Sequence, residues 1–423
     1  RNKDRKKYLL RFYFYFFCYN KHMKKIILLI LIFLCNIKSV YAISSIDFAR
    51  SKGNIIDDKY APAGSIIVEP NTKTILWSEN IDTKWRPASM SKLMTILLAY
   101  DAIKEGKFSL DTKVNVTNKY IDISKNPNLS NNKMKLGCTY TVADLIDLII
   151  VPSSAAATYM LADMINPNRS EFVKMLNDRA KSLGMKNTVY SNPIGVINKL
   201  LNGLAVTSSW NDDNYTTSYD YAILCSYLIN NYKDLLNHTR NKTISVGTGY
   251  CKETFTGYNH SLPGTRHAFG GADGIKTGSA GYGYNYSMTA KRGDTRLVEI
   301  VLGVGRWEYS EAEYIRHIIG NAILEEAFSK YEYKKVVSKG RIFLNNKEIE
   351  VEDDLYDIVP KDGNFEVVYE GGVYIKYNRV FLNNGKPKKV KAKVIKINTY
   401  NKTYDIAYIT LILVIISAIL YLT

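Results

Sequence analysis

Cysteine and histidine are both scarce in this sequence, with five of each among 423 residues. Cys18 and Cys35 fall within the first 42 residues, which leaves Cys138, Cys225 and Cys251, an odd number at wide spacing. Neither a C-x-x-C pair nor histidines at ligand spacing are present, and zinc sites and redox motifs require such pairs. The sequence therefore predicts neither a disulfide framework nor a metal site, and we interpret the three cysteines as small apolar residues.

A stripe of basic residues is also missing. The formal charge is +17, but the first 42 residues hold ten Lys and Arg against one Asp, so the rest of the chain carries only about +8. A nucleic-acid site would cluster Lys and Arg with interleaved aromatic residues. The mild positive charge is instead typical of a protein near a polyanionic wall or a membrane, and we expect no nucleic-acid partner.

The N-terminal 42 residues predict a secretory signal peptide. Met23, Lys24 and Lys25 precede an apolar run over residues 26–34, and a small-residue site ends at Ala42. A positive start, a short apolar core and a small-residue site are the marks of an export signal, with cleavage after Ala42. We expect residues 1–22 to be translated upstream sequence and Met23 to be the start; the alternative is a longer N-terminal membrane anchor.

The C-terminal end predicts a membrane anchor over residues 404–423. Residues 406–422 are almost entirely apolar and follow a Lys-rich stretch at 386–402. Seventeen such residues lie at the short end of what a spanning helix requires, and a buried terminal helix is the alternative. Together the two ends predict an exported protein on the outer face of the cytoplasmic membrane, tethered by its C-terminal helix.

Between the two ends the composition is globular, with 46% apolar and 23% charged residues. A strand pair, helices, a second strand pair and a closing helix predict an α+β domain over residues 43–330, with an antiparallel sheet and flanking helices. The predicted hairpins cover 63–77 and 285–303, and the predicted helices cover 87–104, 141–151, 153–163, 171–183, 216–230 and 312–329. Short alternating runs separated by Asn and Gly turns predict a small all-β domain over 333–398, interpreted as a spacer.

The segment around which the domain is organised is residues 86–95, RPASMSKLMT. Pro87 suits the first turn of a helix, and Ser89 and Lys92 then share one face of that helix. A serine among the unpaired amides of a helix N-terminus is placed to stabilise negative charge, and a desolvated lysine beside it can act as a base. This is the arrangement of a Ser–Lys acyl-transfer enzyme, although the pattern alone also fits a capped helix with an exposed lysine.

Two further motifs follow in order, Ser153-Ser154-Ala155 and Lys276-Thr277-Gly278. With Ser89-x-x-Lys92 they form the trio of the penicillin-recognising Ser–Lys acyl transferases. The flanking sequences resemble the D-alanyl-D-alanine carboxypeptidases among the low-molecular-mass penicillin-binding proteins. The similar segments are residues 87–95 (PASMSKLMT), 127–131 (PNLSN), 184–188 (GMKNT), 262–265 (LPGT) and 271–279 (GADGIKTGS), and residues 352–360 (EDDLYDIVP) resemble the C-terminal β-domain of the membrane-anchored Gram-positive members.

The resemblance implies a penicillin-recognising, β-lactamase-like fold followed by a small β-domain. It also implies a serine-type D-Ala-D-Ala carboxypeptidase, with transpeptidation as a possible second activity, acting on peptidoglycan stem peptides and acylated by β-lactams, without a cofactor or a metal. The implied catalytic residues are Ser89, Lys92 and Ser153, and the implied substrate-binding residues are Lys276, Thr277, Gly278 and Ser279.

The middle motif departs from the family pattern, which is Ser-x-Asn. Ala155 stands in the place of the asparagine, whose amide normally hydrogen-bonds the acyl side of the substrate. Losing one such contact costs about 1–3 kcal/mol, or one to two decades in rate. The sequence therefore predicts that a neighbouring polar group compensates, that the enzyme is slow, or that it handles its substrate differently.

Two rival functions follow from the same motifs. A β-lactamase on this fold needs a deacylating glutamate with an asparagine four residues on, but Glu171 is followed by Met175. A catalytically weak penicillin-binding sensor or wall-binding homologue is the second rival, and Ala155 is its only support. Fast turnover of benzylpenicillin would favour the β-lactamase, and D-Ala release from a stem pentapeptide separates the enzyme from the sensor.

Overall fold

The structure is a computed structural model that describes residues 43–397, together with 414 and 415. The predicted signal peptide lies outside these residues, as does the predicted anchor apart from those last two positions. Among the helices that the structure describes, none is both long and apolar enough to cross a membrane.

The described chain alternates short helices and strands. The helices are α1 (Ser45–Ser51), α2 (Lys92–Lys104), α3 (Asn118–Ser124), α4 (Val142–Ile150), α5 (Ala155–Ile165), α6 (Arg169–Leu183), α7 (Ser218–Asn231), α8 (Leu235–Thr239) and α9 (Ala312–Lys330). The strands are β1 (Gly64–Glu69), β2 (Thr74–Glu79), β3 (Lys113–Asn115), β4 (Thr139–Thr141), β5 (Thr243–Val246), β6 (Glu253–Thr256), β7 (Ala272–Ala280), β8 (Gly283–Arg292), β9 (Thr295–Val304), β10 (Tyr331–Val337), β11 (Gly340–Leu344), β12 (Lys347–Val351), β13 (Leu355–Pro360), β14 (Glu366–Tyr369), β15 (Val373–Lys376), β16 (Val380–Phe381) and β17 (Ala392–Ile397).

The central sheet has six antiparallel strands in the order β16-β2-β1-β9-β8-β7. Helices cover both faces, so successive side chains of β1 enter different cores, as the two-residue period of a strand requires. Ile66 and Val68 pack with α2, α4, α5 and α7, whereas Ile67 packs with α1 and α9. Strand β7 lies at one edge of the sheet, so one side of its backbone is not paired with another strand of this sheet.

Helix ends follow the capping chemistry of their sequences. Thr141 and Asp144 form a capping box at the start of α4, and the Thr217 hydroxyl accepts from the amide of Asp220 at the start of α7. Gly184, in the left-handed conformation that glycine adopts without strain, ends α6. The six predicted helices are all present, and their ends lie within two residues of the predicted positions with one exception. Helix α2 begins at Lys92 and not at Pro87, because a 3-10 segment covers Ala88–Ser91.

The C-terminal strands form a separate β-module with its own apolar core. Strands β10–β13, β11–β12–β17 and β14–β15 make three small sheets around side chains that include Ile349, Leu355 and Ile375. The predicted fold class, an α+β domain followed by an all-β domain, is confirmed. The sequence did not predict that β16 of this module pairs with β2 of the central sheet, with Val380 opposite Ile75.

The interpretation of the cysteines was wrong for two of the three. Cys138 and Cys251 form a disulfide, while Cys225 is buried and takes no part in it. The two partners lie 113 residues apart, and the unpredicted β5–β6 hairpin brings Cys251 to the loop that precedes β4. Because this proximity arises from tertiary structure, no local spacing pattern could predict the disulfide.

Candidate active site

Ser89 lies in a tight turn at the start of α2. A 3-10 segment covers Ala88–Ser91, and the α-helix begins at Lys92. Ala88 has a φ of 49°, a left-handed conformation that a residue with a side chain adopts only at an energetic cost. Gly195 permits the turn, because a side chain there would place its Cβ 1.9 Å from the Ala88 carbonyl oxygen. The turn leaves Ser89 only partly buried, facing a cleft.

Lys92 joins the two predicted catalytic serines. Its Nζ lies 3.0 Å from Ser89 Oγ and 3.0 Å from Ser153 Oγ, and it donates to the Ser153 carbonyl oxygen at 2.7 Å. The residue is 1% exposed. Burial lowers the pKa of Lys92 well below its ordinary value, and the charge of Lys276 lowers it further. A lysine with a lowered pKa can present a neutral amine to the neighbouring serine hydroxyl.

Ser153 is held in place by the start of α5. Its φ of 61° is again left-handed, and the next residue, Ser154, caps the helix by accepting from the amide of Ala157. The Ser153 hydroxyl then lies between two buried amines, with Lys276 Nζ at 3.1 Å and Lys92 Nζ at 3.0 Å. The hydroxyl can therefore exchange a proton with either lysine.

Lys276, on the edge strand β7, supplies the second amine. It is 2% exposed, and its Nζ also donates to the Thr277 carbonyl oxygen at 2.9 Å. Burial, and then the charge of Arg316, lower the pKa of Lys276 to about 7. Gly278 lets the strand approach the Ser89 turn, since a Cβ at this position would lie 2.5 Å from the Pro87 carbonyl oxygen.

Arg316 is a site residue that the sequence analysis missed. It lies on α9, is completely buried, and its Nη1 donates to Ser279 Oγ at 2.9 Å and to the Asn285 carbonyl oxygen at 3.0 Å. Burial lowers its pKa to about 10. One sequence signal was available: Arg316 falls on the apolar stripe of α9 that includes Ala312 and Ile319, where an arginine needs a partner.

Ala155 brings no side-chain amide to the cleft. Its backbone amide donates to the Ser130 carbonyl oxygen at 2.8 Å, and the next amide, of Ala156, donates to Asn131 Oδ1 at 2.8 Å. The other end of the Asn131 amide donates to the Ile123 carbonyl oxygen, so this side chain is committed to holding the loop. Asn128 lines the cleft and is the neighbouring amide available to a ligand.

The cleft that contains Ser89 has a volume of about 490 Å³. Its walls come from the Ser89 turn, the start of α5, the loop at 128–130, the loop at 194–200 and the end of β7. The lining residues are Arg86, Ala88, Ser89, Lys92, Asn128, Leu129, Ser130, Ala155, Ile194, Gly195, Val196, Ile197, Lys199, Leu200, Asp213, Ser279, Ala280, Gly281, Tyr282 and Trp307.

Residues 55–305, more than half of the chain, match the D-alanyl-D-alanine carboxypeptidase family, peptidase family S11. The chain belongs to this family. Residues 333–393 match DUF1958, a domain of unknown function. Among curated relatives, D-alanyl-D-alanine carboxypeptidase DacF of Bacillus subtilis is 29% identical over 294 residues, which cover 67% of each chain. DacC of Escherichia coli is 29% identical over 254 residues, 59% of this chain and 58% of the relative.

Solved structures agree on the fold. A peptidoglycan synthesis regulatory factor (PBP3) from Streptococcus pneumoniae superimposes with a TM-score of 0.67 at 23% identity, covering 80% of this chain and 99% of that one. Penicillin binding protein 5 from Haemophilus influenzae gives a TM-score of 0.59 at 22% identity, covering 81% and 99%. The predicted family, with its serine-type carboxypeptidase function, is confirmed, and the roles of individual residues stay predictions.

Proposed function

We propose that this chain releases the terminal D-alanine from peptidoglycan stem peptides through an acyl-enzyme on Ser89. The observation that carries the proposal is the position of Lys92, whose buried amine lies 3.0 Å from the hydroxyls of both Ser89 and Ser153. One group can therefore serve both the attack on the substrate and the departure of the leaving group.

Lys92 acts as the base in the first step. Burial favours its neutral amine, which takes the proton as Ser89 Oγ bonds to the carbonyl carbon of the penultimate D-alanine. The backbone amides of Ser89 and Ser279 form the oxyanion hole that stabilises the negative oxygen. The close approach of β7 at Gly278 supports this role, because it brings Ser279 beside the Ser89 turn.

Ser153 returns the proton to the leaving group. The peptide C–N bond breaks, and the departing D-alanine amine takes a proton from the Ser153 hydroxyl, which Lys92 and Lys276 both contact. Lys276 and Thr277 bind the terminal carboxylate of the substrate, and Arg316 fixes the Ser279 hydroxyl next to them. The buried cations at this end of the strand favour an anionic substrate terminus.

Water then completes the reaction. It adds to the acyl carbonyl, Ser89 leaves as a free hydroxyl, and the shortened stem peptide departs with a new carboxylate. An amine from another stem peptide in place of water would give transpeptidation. A β-lactam acylates Ser89 in the same way, but its leaving group stays attached after the ring opens, so the adduct persists.

The proposal places this chemistry outside the cytoplasmic membrane. Residues 23–42 have the pattern of an export signal, and residues 406–422 are apolar enough to anchor the chain. An exported, tethered enzyme would meet its substrate in the wall, which agrees with the mild positive charge of the body.

The test uses the purified full-length protein. The wild type should release D-alanine from a stem pentapeptide and take up a fluorescent penicillin, and Ser89→Ala should do neither. Ser91→Ala is a matched control, since its hydroxyl contacts Asn214 instead of Lys92, and it should keep labelling. Labelling retained by Ser89→Ala, or no D-alanine released by the wild type, would contradict the proposal.

A further inference from the structure

Arg86 lies three residues before Ser89, and its main chain is fixed from two sides. Its carbonyl oxygen accepts from Asn285 Nδ2 at 2.9 Å. Trp85 and Thr216 exchange two backbone hydrogen bonds, of 2.7 and 2.8 Å, in an isolated antiparallel bridge directly before Arg86. The start of the Arg86 side chain therefore has a defined position at the rim of the cleft.

The side chain of Arg86 is held in one orientation. Its Nε lies 3.2 Å from Oδ2 of Asp213, a carboxylate that is 4% exposed. The guanidinium group lies 3.7 Å from the ring centroid of Tyr282 and 5.1 Å from that of Tyr215. A guanidinium between two aromatic rings and a buried carboxylate loses little further freedom when it binds a ligand.

The N–H groups on the two terminal nitrogens of this guanidinium are free to donate hydrogen bonds. Within residues 43–397, Arg86 Nη1 and Nη2 have no hydrogen-bond acceptor, and the side chain is 30% exposed where it lines the Ser89 cleft. The contact with Asp213 is an ion pair without a hydrogen bond from Nε, and it leaves the edge formed by Nη1 and Nη2 unused. The unused edge presents two parallel N–H groups, the geometry that binds both oxygens of a carboxylate.

We propose that Arg86 binds a carboxylate on the acyl side of the stem peptide, and so sets which wall peptides the enzyme accepts. This inference rests on the proposed function. Strand β7 runs from Lys276, where the substrate terminus binds, past Ser279 to the turn at Tyr282, and three strand residues span about 10 Å. Arg86 contacts Tyr282, which follows Ser279 along the chain, on the side away from Lys276, and Arg86 lines the same cleft.

Two carboxylates of a stem peptide fit this chemistry. One is the α-carboxylate of the γ-linked D-glutamate, and the other is the side-chain carboxylate of a diaminopimelate at the third position. Both are free in some peptides and amidated in others, and the amide removes the charge with almost no change in shape. Matched pentapeptides that are amidated at one position or the other therefore serve as probes.

The experiment measures kcat/KM for D-alanine release from the free peptide and from each amidated peptide. The wild type should prefer the free peptide over one of the amidated forms by about tenfold, the usual size of one charge-assisted pair at a partly exposed site. Arg86→Gln should bring that ratio below twofold by slowing the free peptide alone. The double variant Arg86→Gln with Asp213→Asn repeats the test without an unpaired buried carboxylate.

Lys199→Gln is the matched control, because it removes a positive charge from an exposed side chain of the same cleft. It should leave the tenfold preference intact, and labelling by benzylpenicillin, which has no acyl-side carboxylate, should be unchanged in every variant. A wild type that shows no preference, an Arg86→Gln enzyme that keeps it, or an equal loss in Lys199→Gln would overturn the proposal.

A second readout separates this inference from the proposed function. Each peptide also competes with penicillin for the cleft, and this competition reports binding without turnover. If no peptide is cleaved, the proposed function fails, yet stronger competition by the free peptide that disappears in Arg86→Gln would still support carboxylate recognition. Equal competition by the free and amidated peptides would overturn it.

Discussion

The active site and the C-terminal β-module both bury cationic side chains, but among the residues that the structure describes the two buried lysines of the site lack the carboxylate partner that the buried arginine of the module has. Lys92 and Lys276 are 1% and 2% exposed, and within residues 43–397 their partners are hydroxyl and carbonyl oxygens. In the module, Arg379 donates to both oxygens of Asp357 at 2.7 and 2.8 Å, with side chains that are 3% and 0% exposed.

The two arrangements have opposite effects on the cation. Burial lowers the pKa of Lys92 and Lys276, because nothing nearby compensates for the lost hydration. Burial also opposes the charge of Arg379, but the hydrogen bonds and the charge of Asp357 outweigh it and raise the pKa. An unpaired buried amine is available for proton transfer, whereas a paired guanidinium is a structural element.

Replacing Lys92 with methionine should have the largest effect on activity. Lys92→Met keeps a similar volume but removes the base, so kcat/KM for D-alanine release and the rate of penicillin labelling should fall by about 10³-fold. The melting temperature should stay the same or rise, because the variant no longer buries an uncompensated amine. Labelling within tenfold of the wild type would show that Lys92 is not the base.

Replacing Arg379 with methionine should instead lower the stability and leave the activity of the folded protein almost unchanged. The change leaves Asp357 buried without its partner, which costs about 3–5 kcal/mol of unfolding free energy. Thermal unfolding followed by circular dichroism should show this loss, while the labelling rate of the folded protein stays within twofold. The double variant Arg379→Met with Asp357→Leu should recover most of the stability, and an unchanged melting temperature in the single variant would contradict the assigned role.

Local pattern was enough to predict the long elements of the fold. Helix α9 and the β8–β9 pair each have a sustained apolar period and clear end signals, so their residues alone specify them. Strand β16 has only two residues, and its pairing with β2 joins segments that are about 300 residues apart. No local pattern can encode such a contact, and this is why the module was interpreted as a spacer.

The site divides in the same way. Ser89, Lys92 and Lys276 lie within motifs whose spacing has a chemical reason, and the structure brings all three around Ser153. Arg316 lies on α9, which packs on the opposite face of the central sheet from α2, and it donates to Ser279. Its role therefore depends on the packing of α9. The local sequence could indicate only that Arg316 interrupts an apolar stripe.

Stability as a function of pH distinguishes the two kinds of buried cation. A lysine whose folded pKa is about 7, against about 10.4 when unfolded, carries its full penalty below pH 7 and loses it as the pH approaches 10. Lys276→Met should therefore be more stable than the wild type at pH 6, by roughly 4–5 kcal/mol, and the gap should close toward pH 10. The deficit of Arg379→Met should change little over the same range, because the raised pKa of Arg379 keeps its guanidinium charged in the wild type. A constant gap for Lys276→Met would refute the contrast.

The smallest expected effect is that of restoring a side-chain amide at position 155, where the active site has alanine. Ala155 is 1% exposed beside the cleft, the Asn131 amide is already committed, and Asn128 lines the same cleft. Ala155→Asn adds an amide next to the unpaired lysine and should raise the rate of acylation by penicillin about tenfold. If Asn128 now compensates for the missing amide, Asn128→Ala should slow the wild type but leave Ala155→Asn unaffected. A slower Ala155→Asn enzyme would mean that the cleft is shaped for alanine, and that its lysines need no further partner.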